Sequence, residues 1–205
     1  MKIAIFGGTF DPVHNAHLRL AQAALAAGMD LVIWMPVARS PFKQDQPLTT
    51  AIDRWSMLVL ATIGEPRYLV SRCEIERPPP SYTIDTISAI RSRFPVADWW
   101  WLIGADQLRE MTGWRDSEQL VQLCHFFVVP RGQLVGVNLQ HLIDKLPGWL
   151  QPALDILAMP PSEISSTEIR RLASQRKRIM DLVPPVVQTY IERYALYLQT
   201  TTALC

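Results

Sequence analysis

Two histidines, His14 and His17, stand three residues apart just beyond a glycine pair, Gly7 and Gly8. In a helix that spacing places both imidazoles on one face of a single turn. The residues before them, Ile3-Ala4-Ile5-Phe6, form a short apolar run, and those from Leu18 to Leu25 are periodic. The order reads as strand, glycine turn and helix. Glycines permit a close backbone approach, and the helix N-terminus beyond them favours an anion. Paired imidazoles there could donate to phosphate oxygens, relay a proton or bind a metal. Zinc would need a third and usually a fourth ligand, and no nearby Cys or His spacing supplies them, Asp11 alone being insufficient. Phosphate handling, and with it nucleotide chemistry, is the expectation. A helix-capping turn with incidental histidines is the competing reading.

Other groups could extend that chemistry. Lys43 lies on a proline-stiffened loop after the second apolar run, where a positioned ammonium could meet a transferring phosphoryl group. Arg39, on the same loop, reads as solvated. Ser165, Thr167 and Arg170 open a helix, so hydroxyls and free N–H groups could receive an oxyanion and the guanidinium could fork onto phosphate. The plain alternative is a capping box, Ser165 with Glu168, beside a surface arginine. Trp114 could stack on a heteroaromatic ring, and Asp106 could accept from ribose hydroxyls or cap a helix. The tryptophans Trp99 to Trp101 read as sheet packing.

The elements that must position these residues alternate. Strands are expected at about 2–7, 31–35, 68–71, 99–103, 126–129 and 155–159. Helices are expected at about 16–27, 51–64 (capped by Thr50), 84–94, 119–123, 139–145 and 167–176, with a last one opening at Pro184-Pro185. Residues 104–115 read as a loop. Alternation of this kind implies an α/β fold with a doubly wound parallel sheet and a small C-terminal helical region. With 205 residues, 49% of them hydrophobic, the chain is expected to form a single domain, 1–205, whose part from about 165 to 205 is helical. In such sheets ligands gather outside the carboxyl ends of the strands, and the loops carrying the groups above lie there.

Twenty Lys+Arg against 19 Asp+Glu leave a net charge of +1, which gives no electrostatic footprint for nucleic acid or a membrane surface. No apolar run approaches the roughly 18 residues of a spanning helix, and Met1-Lys2 leads into too short an apolar run for a signal peptide. Cys73, Cys124 and Cys205 are scattered and odd in number, as expected of reduced thiols in the cytoplasm. Assembly into a homo-oligomer is left open.

The stretch Gly-Gly-Thr-Phe-Asp-Pro-Val-His-Asn-Ala-His (7–17) resembles the signature of the nucleotidyltransferase superfamily. Four further segments narrow the likeness: 80–86 (Pro-Ser-Tyr-Thr-Ile-Asp-Thr), 102–106 (Leu-Ile-Gly-Ala-Asp) with Trp114, 164–170 (Ile-Ser-Ser-Thr-Glu-Ile-Arg) and 182–191 (Leu-Val-Pro-Pro-Val-Val-Gln-Thr-Tyr-Ile). Together, and over nearly the whole chain, they are similar to the bacterial nicotinate-nucleotide adenylyltransferases. The resemblance implies a Rossmann-like nucleotidyltransferase that joins AMP from ATP to nicotinate mononucleotide, giving deamido-NAD and pyrophosphate, with Mg²⁺ carried mainly by ATP phosphates. It implies an ATP site at Gly8, Thr9, Phe10, His14, His17, Gly104, Asp106, Ser165, Thr167 and Arg170. It implies a mononucleotide site at Lys43, Ser81, Tyr82, Thr83, Trp114 and Arg115, and a catalytic set of His14, His17, Lys43 and Arg170. Three positions depart from the family pattern: Ala16 and Pro79 stand where glycine is usual, and Phe42 where histidine is common. The same chemistry on nicotinamide mononucleotide is the nearest rival. Pantetheine-phosphate adenylyl transfer fits less well, and a catalytically silent nucleotide-binding module is the reading from a different class.

Overall fold

A computed structural model describes residues 1–38, 49–130, 134–160 and 162–198. Six parallel strands form one sheet in the order β3-β2-β1-β4-β5-β6, with β1 Lys2–Gly8, β2 Leu31–Pro36, β3 Tyr68–Val70, β4 Asp98–Gly104, β5 His125–Val129 and β6 Leu154–Ile156. The helices are α1 Asn15–Ala26, α2 Ala51–Thr62, α3 Thr83–Arg91, α4 Ser117–Leu123, α5 Gly136–Asp144, α6 Ser166–Ser174 and α7 Pro185–Arg193. The expected doubly wound parallel fold with helical elements at the C-terminal side is therefore present.

The inner strands lack polar alternation because both of their faces are covered. Ile3, Ile5, Ile33, Trp101 and Ile103 point to one face, where Ile84, Ile87 and Ile90 of α3 and Leu120 of α4 pack. Ala4, Phe6, Val32, Trp34 and Leu102 point to the other, against Ala21 and Ala24 of α1, Met57 and Leu58 of α2, and Val187 and Ile191 of α7. β6 pairs only with β5, and Asp155 and Ile156 are exposed, as an edge strand allows. That strand closes at Ile156 rather than running to Met159.

Two other segments differ from expectation for local reasons. Helix α3 ends at Arg91, short of Phe94, because Pro95 disfavours helical backbone at the residue before it. Residues Ala105–Gly113, expected as loop, form a 3₁₀-helix. Its buried residues, Ala105, Leu108 and Met111, recur every third position, which is the repeat of that helix.

The sheet reverses its winding between β1 and β4. Pairing between these strands covers only Lys2–Ile5 against Asp98–Trp101. Beyond it, Gly7 and Gly8 follow β2, while Leu102 to Gly104 follow β5. The strands part, and the crevice between their carboxyl ends is the topological switch point at which ligands of such sheets sit.

Candidate active site

The turn leaving β1 is held in an uncommon conformation. Phe10 has φ +50, a left-handed backbone disfavoured for residues with a side chain. Its ring folds back under the turn, 5.1 Å from Phe6 and 5.1 Å from His17, both edge-on. A Cβ on Gly8 would lie 2.9 Å from Phe10 Cζ, so any larger residue there would have to displace a ring that is itself buried. His14 is the N-cap of α1 and is buried; His17 is half-buried. The rings stack with centroids 3.6 Å apart. The main-chain N–H of His14 donates to Nδ1 of His17 at 3.2 Å, so a neutral His17 carries its proton on Nε2.

Beneath this turn lies a polar knot centred on Arg54, which sequence reasoning missed, and on Asp11, which it weighed only as a metal ligand. Arg54 of α2 is 1% exposed. Its guanidinium donates to the carbonyls of Thr9 at 2.8 Å, Val37 at 2.7 Å, Ala38 at 3.2 Å and Thr49 at 3.4 Å. Burial lowers the Arg54 pKa and the nearby Asp11 raises it; an arginine stays cationic throughout. The Asp11 carboxylate accepts from Thr49 Oγ1 at 2.5 Å and Tyr197 Oη at 2.7 Å. A signal for Arg54 did exist: a cation stands on the buried stripe of α2 with Met57 and Leu58, three and four positions on.

Helix α6 is tied to the same turn. Ser165 caps it, its Oγ accepting from the Glu168 N–H at 3.3 Å. In place of the reciprocal half of the expected box, the Glu168 carboxylate pairs with Arg171 at 2.6 Å. Arg170 is not a plain surface arginine. Its Nη1 donates to the Asp11 carbonyl at 2.7 Å and its Nη2 to Thr167 Oγ1 at 3.4 Å. Ser166 Oγ donates to the Pro12 carbonyl at 3.0 Å. Arg171, Arg176, Lys177 and Arg178 are exposed, as a solvated face should be.

A cavity of about 540 Å³ opens above these elements. Gly8, Thr9 and Phe10 line it from the turn, His14 and His17 from α1, Gly104 and Asp106 from the end of β4, and Ser165, Thr167 and Arg170 from α6. Ala16, one of the departures, lies on the same wall. Asp106 folds its carboxylate against Gly104, where a Cβ would collide with it.

A second cavity of about 310 Å³ lies across the switch point. Ser81, Tyr82 and Thr83 line it from the start of α3, and Trp114 and Arg115 from the turn after the 3₁₀-helix. The Arg115 guanidinium lies 5.0 Å from the Tyr82 ring centre. Ser81 Oγ and Trp114 Nε1 are buried with no hydrogen-bond partner among the described residues, which suits a polar ligand in this cavity. Glu74 also lines it; its Oε1 accepts from Thr86 Oγ1 at 2.6 Å, and Thr86 accepts from Arg77 Nη2 at 2.7 Å. Burial raises the Glu74 pKa, against the pull of the Thr86 hydroxyl and the Arg77 charge. Gly7, Gly8, Thr9, Leu102 and Gln107 line both cavities, so the two are lobes of one cleft.

Arg39, Phe42 and Lys43 lie outside the described residues, although both flanks of that segment are held at the knot, Ala38 by Arg54 and Thr49 by Asp11. Among the described residues no three His, Cys, Asp or Glu side chains gather as metal ligands, and no helix is long and apolar enough to cross a membrane.

Residues 5–172 match the family described as cytidylyltransferase-like. A protein of Neisseria meningitidis serogroup C, named as a probable nicotinate-nucleotide adenylyltransferase, is 40% identical over 203 residues, spanning 96% of this chain and 98% of that protein. A protein of the same name from a Synechococcus species is 41% identical over 202 residues, spanning 97% and 98%. The fold is similar to that of Plasmodium falciparum nicotinic acid mononucleotide adenylyltransferase complexed with NaAD, with a TM-score of 0.75 at 20% identity over 96% of this chain and 97% of that one.

Proposed function

Because the chain belongs to the cytidylyltransferase-like family and, within it, to the nicotinate-nucleotide adenylyltransferases, we propose that it transfers AMP from ATP to nicotinate mononucleotide, giving deamido-NAD and pyrophosphate. The observation that carries this reading is the continuity of the two lobes over Gly7 to Thr9. One lobe suits a triphosphate and the other a pyridine nucleotide, so the attacking phosphate and the α-phosphorus meet above the glycine turn.

In this reading an oxygen of the mononucleotide phosphate attacks the α-phosphorus in line. The new O–P bond forms as the bond from the α-phosphorus to its bridging oxygen breaks, and pyrophosphate leaves. No protein atom is joined to substrate, so catalysis consists of positioning and charge stabilisation. His17 donates from Nε2 to the phosphates, with His14 stacked behind it. Ser165, Thr167 and Arg170 hold the leaving pyrophosphate, Gly104 and Asp106 meet the adenosine ribose, and Trp114 stacks on the pyridine. Lys43 is assigned to phosphate by the resemblance alone. A divalent cation, Mg²⁺ in this proposal, fits as an ion carried by the phosphates, since the Asp11 carboxylate is engaged by Thr49 and Tyr197. Such an ion supplies positive charge to the triphosphate. We place the reaction in the cytoplasm, consistent with the free thiols of Cys73 and Cys124.

The acid is favoured over the amide by the likeness to the relatives named above and by the main-chain N–H groups that open α3 beside this lobe, from which a carboxylate can accept. The test is pyrophosphate release by the purified protein with Mg²⁺-ATP and either mononucleotide. Fast release with nicotinate mononucleotide and much slower release with the nicotinamide form is expected. Equal or reversed rates would overturn the substrate assignment, and no release with either would favour a non-catalytic binding module.

A further inference from the structure

The reaction described above makes no use of the Asp11 side chain, which is 1% exposed and sits between the glycine turn and α1. Its carboxylate is held from two sides. Thr49 supplies a hydroxyl to Oδ1 at 2.5 Å and a main-chain N–H to Oδ2 at 3.2 Å. Tyr197 supplies its phenol to Oδ1 at 2.7 Å from 186 residues away, beyond the end of α7.

The turn that delivers this phenol is itself strained. Ala195 and Tyr197 have φ of +51 and +66, left-handed values that side-chain-bearing residues hold only where their surroundings impose them. Burial, and then the adjacent Asp11 carboxylate, push the Tyr197 phenol above its ordinary range, so it remains a donor at any working pH. On its main-chain side Asp11 is equally committed, its carbonyl accepting from Arg170 Nη1 at 2.7 Å. One residue thus joins the C-terminal turn to the guanidinium that faces the larger lobe. Asp11 and Arg170 line that lobe and not the smaller one.

We propose that Tyr197 is a positioning residue for the ATP side of the cleft, fixing Asp11 and, through the Asp11 carbonyl, the orientation of Arg170. A carboxylate gripped by two hydroxyls cannot turn about its side-chain bonds, and the peptide that carries it is held with it. Without the phenol, the Asp11 carboxylate keeps, among the described residues, the Thr49 contacts, and the carbonyl that orients Arg170 is free to tilt. The smaller lobe has no share in these contacts, so its ligand should be indifferent to the change. The kinetic part of this inference rests on the adenylyl-transfer reading.

The test is Tyr197→Phe in the full chain, which removes one hydroxyl and keeps the ring. We expect KM for ATP to rise about tenfold, the scale of one hydrogen bond to a charged group, with KM for nicotinate mononucleotide nearly unchanged; loss of a buried bond also lowers the melting temperature somewhat, so the discriminating readout is the one-sided change in KM. Asp11→Asn should give the same one-sided signature, and the double variant should be no worse than Asp11→Asn alone, because both changes break one linkage. A fall in melting temperature with both KM values unmoved, or moved together, would overturn the inference by making Tyr197 a mere tether. So would multiplicative losses in the double variant. If the wild type turned over neither mononucleotide, the proposed function would fail, yet calorimetric Kd values for ATP on wild type and Tyr197→Phe would still decide the role of Tyr197: an equal Kd refutes it and a weakened one supports it.

Discussion

The imidazoles of His14 and His17 lie face to face, with ring centroids 3.6 Å apart and planes 16° from parallel. The His14 N–H donates to Nδ1 of His17 at 3.2 Å, which together with the stacking fixes the orientation of the His17 ring. A donor fixed before substrate arrives needs no reorganisation in the transition state. His17→Ala should therefore lower kcat by roughly 10²-fold or more while leaving KM for ATP nearly unchanged. Because the rings support each other, His14→Ala should add less than its own effect to that variant. Steady-state kinetics of the two singles and the double provide the check; a near-normal kcat for His17→Ala would make the pair a capping device only.

Arg54 carries no proposed contact to substrate, yet four main-chain carbonyls converge on it. Arg54→Met would leave buried acceptors without their charged donor, a loss expected to be about 3 kcal/mol or more. Arg54→Lys should recover little, since one ammonium cannot reproduce the planar fork. Urea unfolding measures this directly. A loss under about 1 kcal/mol would mean that water takes over the carbonyls.

Glu74 supplies a pH dependence whose sign is fixed by its burial. Its folded pKa lies above the ordinary value of 4.5, so the native state holds the proton more tightly than the unfolded chain does. Its contribution to stability is therefore most favourable below the unfolded value and declines as pH rises through the window up to the raised folded one. Glu74→Gln removes the titration at similar volume. Urea midpoints followed from acid to neutral pH should show the wild type losing ground to the variant as pH rises. A constant difference, or one of opposite slope, would contradict the assignment.

The thiols should separate cleanly. Burial pushes Cys124 up to about 12, leaving almost no thiolate near neutrality, whereas Cys73 is half-buried. Alkylation of the native protein, read by peptide mass mapping, should modify Cys73 well before Cys124, which should react only on unfolding. Equal rates at the two sites would show that α4 opens far more readily than its packing suggests.

The parts of this molecule visible in its sequence were those encoded locally. The strand–turn–helix around His14, the Thr50 and Ser165 caps and the buried isoleucines of α3 each declare themselves within a dozen residues, so fold and cavity walls could be anticipated. The 3₁₀-helix at Ala105–Gly113 carries a local signal too, a repeat of three, which is easily taken for loop beside glycines and charges. The end of α3 turned on Pro95 rather than on the apolar repeat that continues to Phe94. The Asp11 knot was opaque for another reason. Thr49, Arg54, Arg170 and Tyr197 meet there only after the chain has folded, and no spacing along it announces a contact 186 residues long. Arg54 was the exception, a lone cation on an apolar stripe.

The shared floor at Gly7, Gly8 and Thr9 also bears on how the cycle ends. A dinucleotide reaching from Trp114 to the base of α6 would be moored at both ends to one rigid surface. When either end lets go, the other keeps it close by, and re-engagement competes with escape. Pyrophosphate, seated in one lobe, has no second mooring. Departure of the dinucleotide would then be the slow event, and the enzyme would be throttled by its own accumulating product before either substrate ran short.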